Sequence, residues 1–243
     1  MAIASVNPAT GEVIERFDEH TAAEVETALE ACERAFDGWR CRPFTERGGR
    51  LVEAARVLRA RKAELARTMA LEMGKPVVEG EAEVEKCAWC CEFYAEHAAA
   101  MLAVDVRPTE AKRSFVRFDP LGIVLAIMPW NFPLWQVFRF AAPALMAGNA
   151  AVLKHASNVP RCALEIEAVL TAAGLPDGLF RTLLLGGERA SALVGDSRIR
   201  AVTLTGSEGA GSTVAAAAGR ALKKTVLELG GSDPFVVLAE VLL

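Results

Sequence analysis

Helical stripes and short apolar runs alternate along the chain in an order that divides it into three parts. Near the start, the turn residues Asn7-Pro8-Ala9-Thr10-Gly11-Glu12 separate two short apolar stretches, which predicts a small β-hairpin. Thr21, with Glu24 three residues later, forms a capping box, and Val25, Ala28, Leu29, Cys32, Ala35, Phe36 and Trp39 fall on one face of the helix it opens. A second helix is predicted from about Thr45 to near Gly74, where the glycine and Pro76 give a stop signal, and a third from Pro76 to about Met101. These amphipathic helices carry no chemistry of their own and must pack against something. Residues 105–118 turn extended, with alternation through Ser114, Phe115, Val116, Arg117 and Phe118. That stretch is too exposed in character for a core strand and reads as an arm able to pair with another sheet or another subunit.

After Pro120 the rhythm changes. Strands are predicted over 122–127, 150–153, 180–185, 199–204, 225–229 and 235–238. Helices are predicted from about Pro133 to Met146, from about Pro160 to Ala173 and, behind a Gly-rich turn, through Ala215. Short apolar strands alternating with helices imply right-handed crossovers and a parallel sheet covered on both faces. The expected class is α/β, with a Rossmann-like core at 120–243, a helical part at 1–104 and an arm at 105–119. There is no internal repeat and no low-complexity tract.

Composition narrows the function. Just over half of the 243 residues are hydrophobic (52%), enough for a sizeable core, and Lys plus Arg number 27 against 31 Asp plus Glu, a formal charge of -4. That mild acidity gives no support for nucleic-acid binding, which needs a basic face. No apolar run approaches the roughly 18 residues of a membrane span, and the first residues lack the basic and apolar regions of a secretory signal. A cytoplasmic location, away from nucleic acid and membrane, is expected. Cys87, Cys90 and Cys91 form a C-x-x-C-C cluster that resembles half a metal site. A zinc site needs a second ligand pair at suitable spacing, and none follows, so buried, reduced thiols packed in a helix are the expectation.

The candidate chemistry sits in four turns. Thr205-Gly206-Ser207-Glu208-Gly209-Ala210-Gly211 lies at a strand end and opens a helix, whose free N–H groups suit a pyrophosphate. Taken alone it is a weak signal, since it is not G-x-G-x-x-G and follows a late strand. Pro129-Trp130-Asn131-Phe132-Pro133, Leu153-Lys154-His155-Ala156-Ser157 and Leu227-Glu228-Leu229-Gly230-Gly231-Ser232 also follow predicted strands, at the carboxyl ends where open α/β sheets place ligands. Singly, Asn131 could be an N-cap and Glu228 a paired structural carboxylate. Together the four turns are hard to dismiss.

At these residues the chain resembles the aldehyde dehydrogenase superfamily, from the Asn-Pro-Ala-Thr-Gly-Glu opening through Pro-Trp-Asn-Phe-Pro to Leu-Glu-Leu-Gly-Gly. It is most similar to bacterial succinate-semialdehyde dehydrogenases in Leu-Lys-His-Ala-Ser-Asn and Glu-Leu-Gly-Gly-Ser-Asp-Pro-Phe. The resemblance implies NAD(P)-dependent oxidation of a small-molecule aldehyde to a carboxylic acid by a homo-oligomer, with the 105–119 arm in subunit pairing. In the family a cysteine thiolate attacks the aldehyde; Asn131 matches the asparagine that helps hold the oxyanion, and Glu228 the general base that activates water against the thioester. Lys154 matches the lysine that bonds the adenosine ribose, Gly206, Ser207 and Gly211 the pyrophosphate turn, and Trp130 and Gly186 the lining of the coenzyme cleft.

Two positions bear on selectivity. Ser157 stands where NAD-preferring relatives often carry a glutamate, so NADP, whose 2′-phosphate a carboxylate would repel, is expected to be accepted; the alternative is a cap for the helix near Pro160. Arg139, eight residues after Asn131, is placed to grip the carboxylate of succinic semialdehyde; the alternative is a structural ion pair or an interface. The family's nucleophile is expected beyond this chain, since none of its six cysteines lies in the required context. The chain is therefore expected to be a truncated or fragmentary member, inactive by itself. Three readings follow: an enzyme in full-length form, a nucleotide-binding fragment without catalysis, and an arm-mediated interaction with an intact relative.

Overall fold

The computed structural model describes residues 3–238. The N-terminal hairpin pairs β1 (Ile3–Val6) with β2 (Val13–Phe17) in antiparallel register, across a turn where Gly11 takes a positive φ of 74°. The capping box then opens α1 (Ala22–Trp39): the Glu24 N–H donates to Thr21 Oγ1 at 3.2 Å and the Thr21 N–H to the Glu24 carboxylate at 2.7 Å. Its expected apolar face is the face that packs, with Ala35 and Phe36 partly buried against the core and the other five residues buried.

The single long helix expected from Thr45 to Gly74 is two helices, α2 (Phe44–Ala60) and α3 (Lys62–Met73), broken at Arg61. No glycine or proline marks that break. Arg61 leaves helical geometry and its guanidinium reaches Glu64 and Glu165, the latter at 2.6 Å, so tertiary docking overrides a continuous helical pattern. Gly74, at φ 76°, ends α3, and α4 (Val77–Met101) follows. Cys87, Cys90 and Cys91 are buried on α4. The arm is a minimal hairpin, β3 (Asp105–Val106) against β4 (Phe115–Val116), with Val106, Phe115, Val116 and Phe118 exposed.

Next come β5 (Ile123–Met128), α5 (Trp135–Met146), β6 (Ala150–His155), α6 (Pro160–Ala172), β7 (Phe180–Thr182), α7 (Gly187–Leu193), β8 (Ile199–Gly206), α8 (Glu208–Arg220) and β9 (Lys224–Leu229). The five strands form one parallel sheet in the order β7-β6-β5-β8-β9. The strand order reverses direction between β5 and β8, which makes their carboxyl ends the topological switch point. Solidly buried Val, Leu and Ala fill β5, β6 and β8, whereas β9 is an edge strand and mostly exposed.

Several boundaries differ from expectation. α5 begins at Trp135, because Pro133 and Leu134 belong to the preceding turn. β7 ends at Thr182, although the Leu183 N–H still donates to Leu153 O at 2.8 Å. α7 has no counterpart in the predicted elements, being seven residues long with Gly186 as its N-cap and Gly187 as its first residue. α8 runs on to Arg220. The strand expected at 235–238 is absent among the described residues: the stretch pairs with nothing, and all four side chains are exposed. A strand needs a ladder partner, and apolar alternation alone does not supply one.

Candidate active site

Three of the four predicted turns meet at the switch point. Pro129, Trp130, Asn131, Gln136, Arg139, Thr205, Gly206, Ser207 and Glu228 line one cleft of about 520 Å³. Parallel register explains the meeting: β5 and β8 run side by side, and Thr205 of β8 stands opposite Glu228 of β9. Asn131 therefore faces the cleft from the β5–α5 turn, Gly206 and Ser207 from the β8–α8 turn, and Glu228 from the edge strand.

Ser207 is the N-cap of α8, its hydroxyl accepting from the Ala210 N–H at 3.3 Å. The helix N-terminus thus keeps free N–H groups in its first turn for an anion. Gly211, the last residue of the predicted pyrophosphate turn, lies inside α8. Its N–H is committed to Ser207 O at 2.9 Å, and a Cβ there would collide with the Leu229 side chain. Its smallness lets α8 close onto β9.

A second pocket, about 330 Å³, is lined by Ile127, Lys154, Gly187, Ala190, Leu204 and Gly209 among others. Gly187 and Gly209 face open space where a Cβ would stand, so their backbones can be approached closely. Lys154 is partly buried, and desolvation pulls its ammonium below the ordinary lysine value. Gly186 is the N-cap of α7, immediately before this lining. Ser157 is exposed in the β6–α6 turn, and the α6 N-cap is Val159. The first amides of α6 are instead served by a distant carboxylate: Arg161 and Cys162 donate to buried Glu72 at 2.9 and 2.8 Å. The helix-capping alternative for Ser157 is not what the geometry provides.

Arg139 and Glu228 pair with each other, Nη2 to Oε2 at 3.3 Å, with 41% and 53% of their side chains exposed. On the other side of this pair an apolar groove of about 640 Å³ runs past Val124, Phe140, Val202 and Val226.

The residues that hold the Asn131 turn were not legible in the motifs. Lys75 and Glu83 form an ion pair with side chains only 8% and 2% exposed. The Leu134 and Trp135 N–H groups donate to Glu83 Oε1 at 2.8 and 2.9 Å, and Lys75 Nζ lies 3.9 Å from the centre of the Phe132 ring. Buried His155 Nε2 bonds the Pro133 carbonyl at 2.8 Å while Nδ1 faces the Ala156 N–H at 2.9 Å. Those two contacts fit one neutral tautomer, with Nε2–H as the donor. Desolvation pushes the imidazole down to about 4, against the Pro133 bond and helped by the Lys154 charge. Gln136 also lines the cleft, with a buried Oε1 that lacks a protein partner. The metal alternative for the cysteine cluster finds no grouping of three potential ligands among the described residues, and no helix among them is long and apolar enough to cross a membrane.

Comparison with known proteins gives a consistent answer. A model of the aldehyde dehydrogenase family matches residues 1–242. The chain is 55% identical over 240 residues to a Synechocystis protein named as a probable NADP(+) succinate-semialdehyde dehydrogenase, covering 99% of this chain and 53% of the relative. It is 49% identical over 241 residues to succinate-semialdehyde dehydrogenase NADP(+) 1 of Mycobacterium tuberculosis, covering 98% and 53%. The fold superposes on Streptococcus pyogenes succinic semialdehyde dehydrogenase, solved in complex with NADP+, with a TM-score of 0.93 and 36% identity over 98% of this chain and 52% of that one. The chain thus spans about half the length of the curated relatives it matches.

Proposed function

The chain belongs to the aldehyde dehydrogenase family, and from that premise we propose that it forms the coenzyme-binding half of an NADP-dependent succinate-semialdehyde dehydrogenase. The observation that carries this reading is the cleft in which Asn131, Arg139, Gly206, Ser207 and Glu228 converge. The coenzyme, when bound, accepts the hydride. Lys154 and the glycine-lined pocket fit its adenosine end, and the α8 N-terminus its pyrophosphate, with Gly186 and Trp130 flanking. Exposed Ser157 leaves room for a 2′-phosphate without a carboxylate to repel it.

Asn131 donates its carboxamide N–H to the aldehyde oxygen as negative charge develops there. Glu228 takes the proton of the water that hydrolyses the thioester. The attacking thiolate is not drawn from this chain. Five of the six cysteines are buried, and desolvation raises their thiols, Cys32 to about 12 and Cys90 to about 11; Cys41 is exposed between α1 and α2. We assign the thiolate to the part of the longer relatives that this chain does not match, and the 105–119 arm to subunit pairing there.

Arg139 holds the far carboxylate of the substrate. Its present partner is no obstacle, because a half-exposed ion pair contributes only about 0–1 kcal/mol. An arriving carboxylate takes the place of Glu228 at the guanidinium and leaves that residue free to act as base. The test is a chain completed with the remaining half of the Synechocystis relative. There Arg139→Ala should lower kcat/KM for succinic semialdehyde about 30- to 1000-fold, from a loss of about 2–4 kcal/mol, and leave an uncharged aldehyde of equal length nearly unaffected. Equal losses on both substrates would assign Arg139 to the fold. A second reading, coenzyme binding without catalysis by the 243-residue chain itself, is favoured by the lack of a thiol among the cleft-lining residues; coenzyme titration without turnover is the outcome it requires.

A further inference from the structure

Asn131 stands in a connection, residues 129–134, that has no regular secondary structure. A donor that must meet a developing oxyanion has to be held to within about half an ångström, and a six-residue connection does not do that by itself. Every polar contact named above for this turn comes from elsewhere in the chain. Glu83, reaching from α4 across 51 positions of sequence, satisfies the two N–H groups where α5 starts, which lack partners within their own helix. Its second oxygen is held by Lys75, whose ammonium rests on the Phe132 ring beside Asn131, a cation–π contact strengthened by burial.

We propose that Lys75 and Glu83 are positioning residues for Asn131: a buried ion pair, lent by the helical layer, that clamps the turn carrying the oxyanion donor. The proposal rests on the role given to Asn131 under Proposed function. The division of labour is chemical. One carboxylate oxygen serves two amides, the other serves the ammonium, and the ammonium both neutralises the buried carboxylate and fixes the ring next to Asn131. Glu72 supplies an internal comparison. It caps α6 from a distance in the same way, but serves the turn behind Lys154 and Ser157, away from Asn131.

The 15N-labelled full chain allows a direct test through amide exchange and the Asn131 side-chain NH2 resonances. Lys75→Met and Glu83→Gln should speed exchange at Leu134 and Trp135 at least tenfold and shift or broaden the Asn131 side-chain peaks, with Arg161 and Cys162 unchanged. Lys75→Arg should restore most of the native pattern, and Glu72→Gln should do the converse, loosening Arg161 and Cys162 alone. If Lys75→Met fails to fold, Glu83→Asp, which keeps the charge but shortens the reach, must still displace the Asn131 peaks. Unmoved Asn131 peaks beside loosened Leu134 and Trp135 would overturn the proposal, as would equal loosening of all four amides in every variant. Failure of Asn131 itself as oxyanion donor is a separate outcome: Asn131→Ala would then leave kcat of the completed enzyme intact whatever the exchange data show.

Discussion

On the β5 side of the cleft, the turn that carries Asn131 is gripped by side chains almost wholly removed from water: Lys75, Glu83 and His155. On the β9 side, Glu228 stands on an edge strand with about half of its side chain exposed and one partner at 3.3 Å. Both sides contain a glutamate paired with a cation, yet the pairs differ in kind. In the proposed roles, the buried one fixes the turn of a donor whose usefulness depends on not moving. The exposed one is weakly held, which suits the proposed base that must reach a water molecule. Burial, more than residue type, decides whether an ion pair holds or lets go.

The largest expected effect is on the buried side. Removing one partner of a buried pair costs about 3–5 kcal/mol, so Lys75→Met should lower Tm by roughly 6–20 °C for a chain of this size. A change of less than about 2 °C in a melting experiment would erase the contrast between the two sides.

Acid titration probes the same side through His155. Its folded value of about 4 lies below the ordinary 6.5 because of desolvation. Above pH 6.5 the imidazole is neutral in both states and stability is unaffected. Between pH 6.5 and 4 the unfolded chain takes up a proton that the folded chain refuses, so stability should fall by about 3 kcal/mol and then level off. In His155→Gln that part of the pH dependence should vanish from denaturant midpoints measured across the range; an unchanged slope would assign the acid sensitivity elsewhere.

At the exposed positions the effects should be functional and the fold indifferent. Ser157→Glu should weaken NADP binding about tenfold, roughly 1.4 kcal/mol of charge repulsion, and leave NAD nearly untouched; calorimetry with both coenzymes would reveal an unselective loss. Smallest of all, Arg139→Ala should change folding stability by under about 1 kcal/mol. A larger loss in chemical denaturation would mean the β9 side is as rigidly held as the other.

The sequence displayed this contrast unevenly. The α1 capping box, its apolar face and the β5, β6 and β8 strands were legible because they are local patterns: a side chain three residues from its partner, or an unbroken buried run. The turns at the carboxyl ends of β5, β6, β8 and β9 were legible for the same reason. The break at Arg61 was not, since Arg61 reaches Glu165, far along the chain, and the packing of Gly211 against Leu229 was not, since no local pattern marks it. Lys75 and Glu83 escaped for a deeper reason. Between a capping carboxylate on one helix and the orphan amides of another 51 positions away, nothing periodic connects the two ends.

The five buried cysteines carry a practical consequence. Thiol reagents attack the exposed thiolate, so the folded chain should take up a label quickly at Cys41 alone, while the unfolded chain offers all six positions. The ratio of fast to total labelling is then a built-in gauge of how much of a preparation is folded, readable without any engineered probe. The same asymmetry makes Cys41, on the turn between α1 and α2, a ready attachment point for a fluorophore or a surface, remote in sequence from every residue assigned to the cleft.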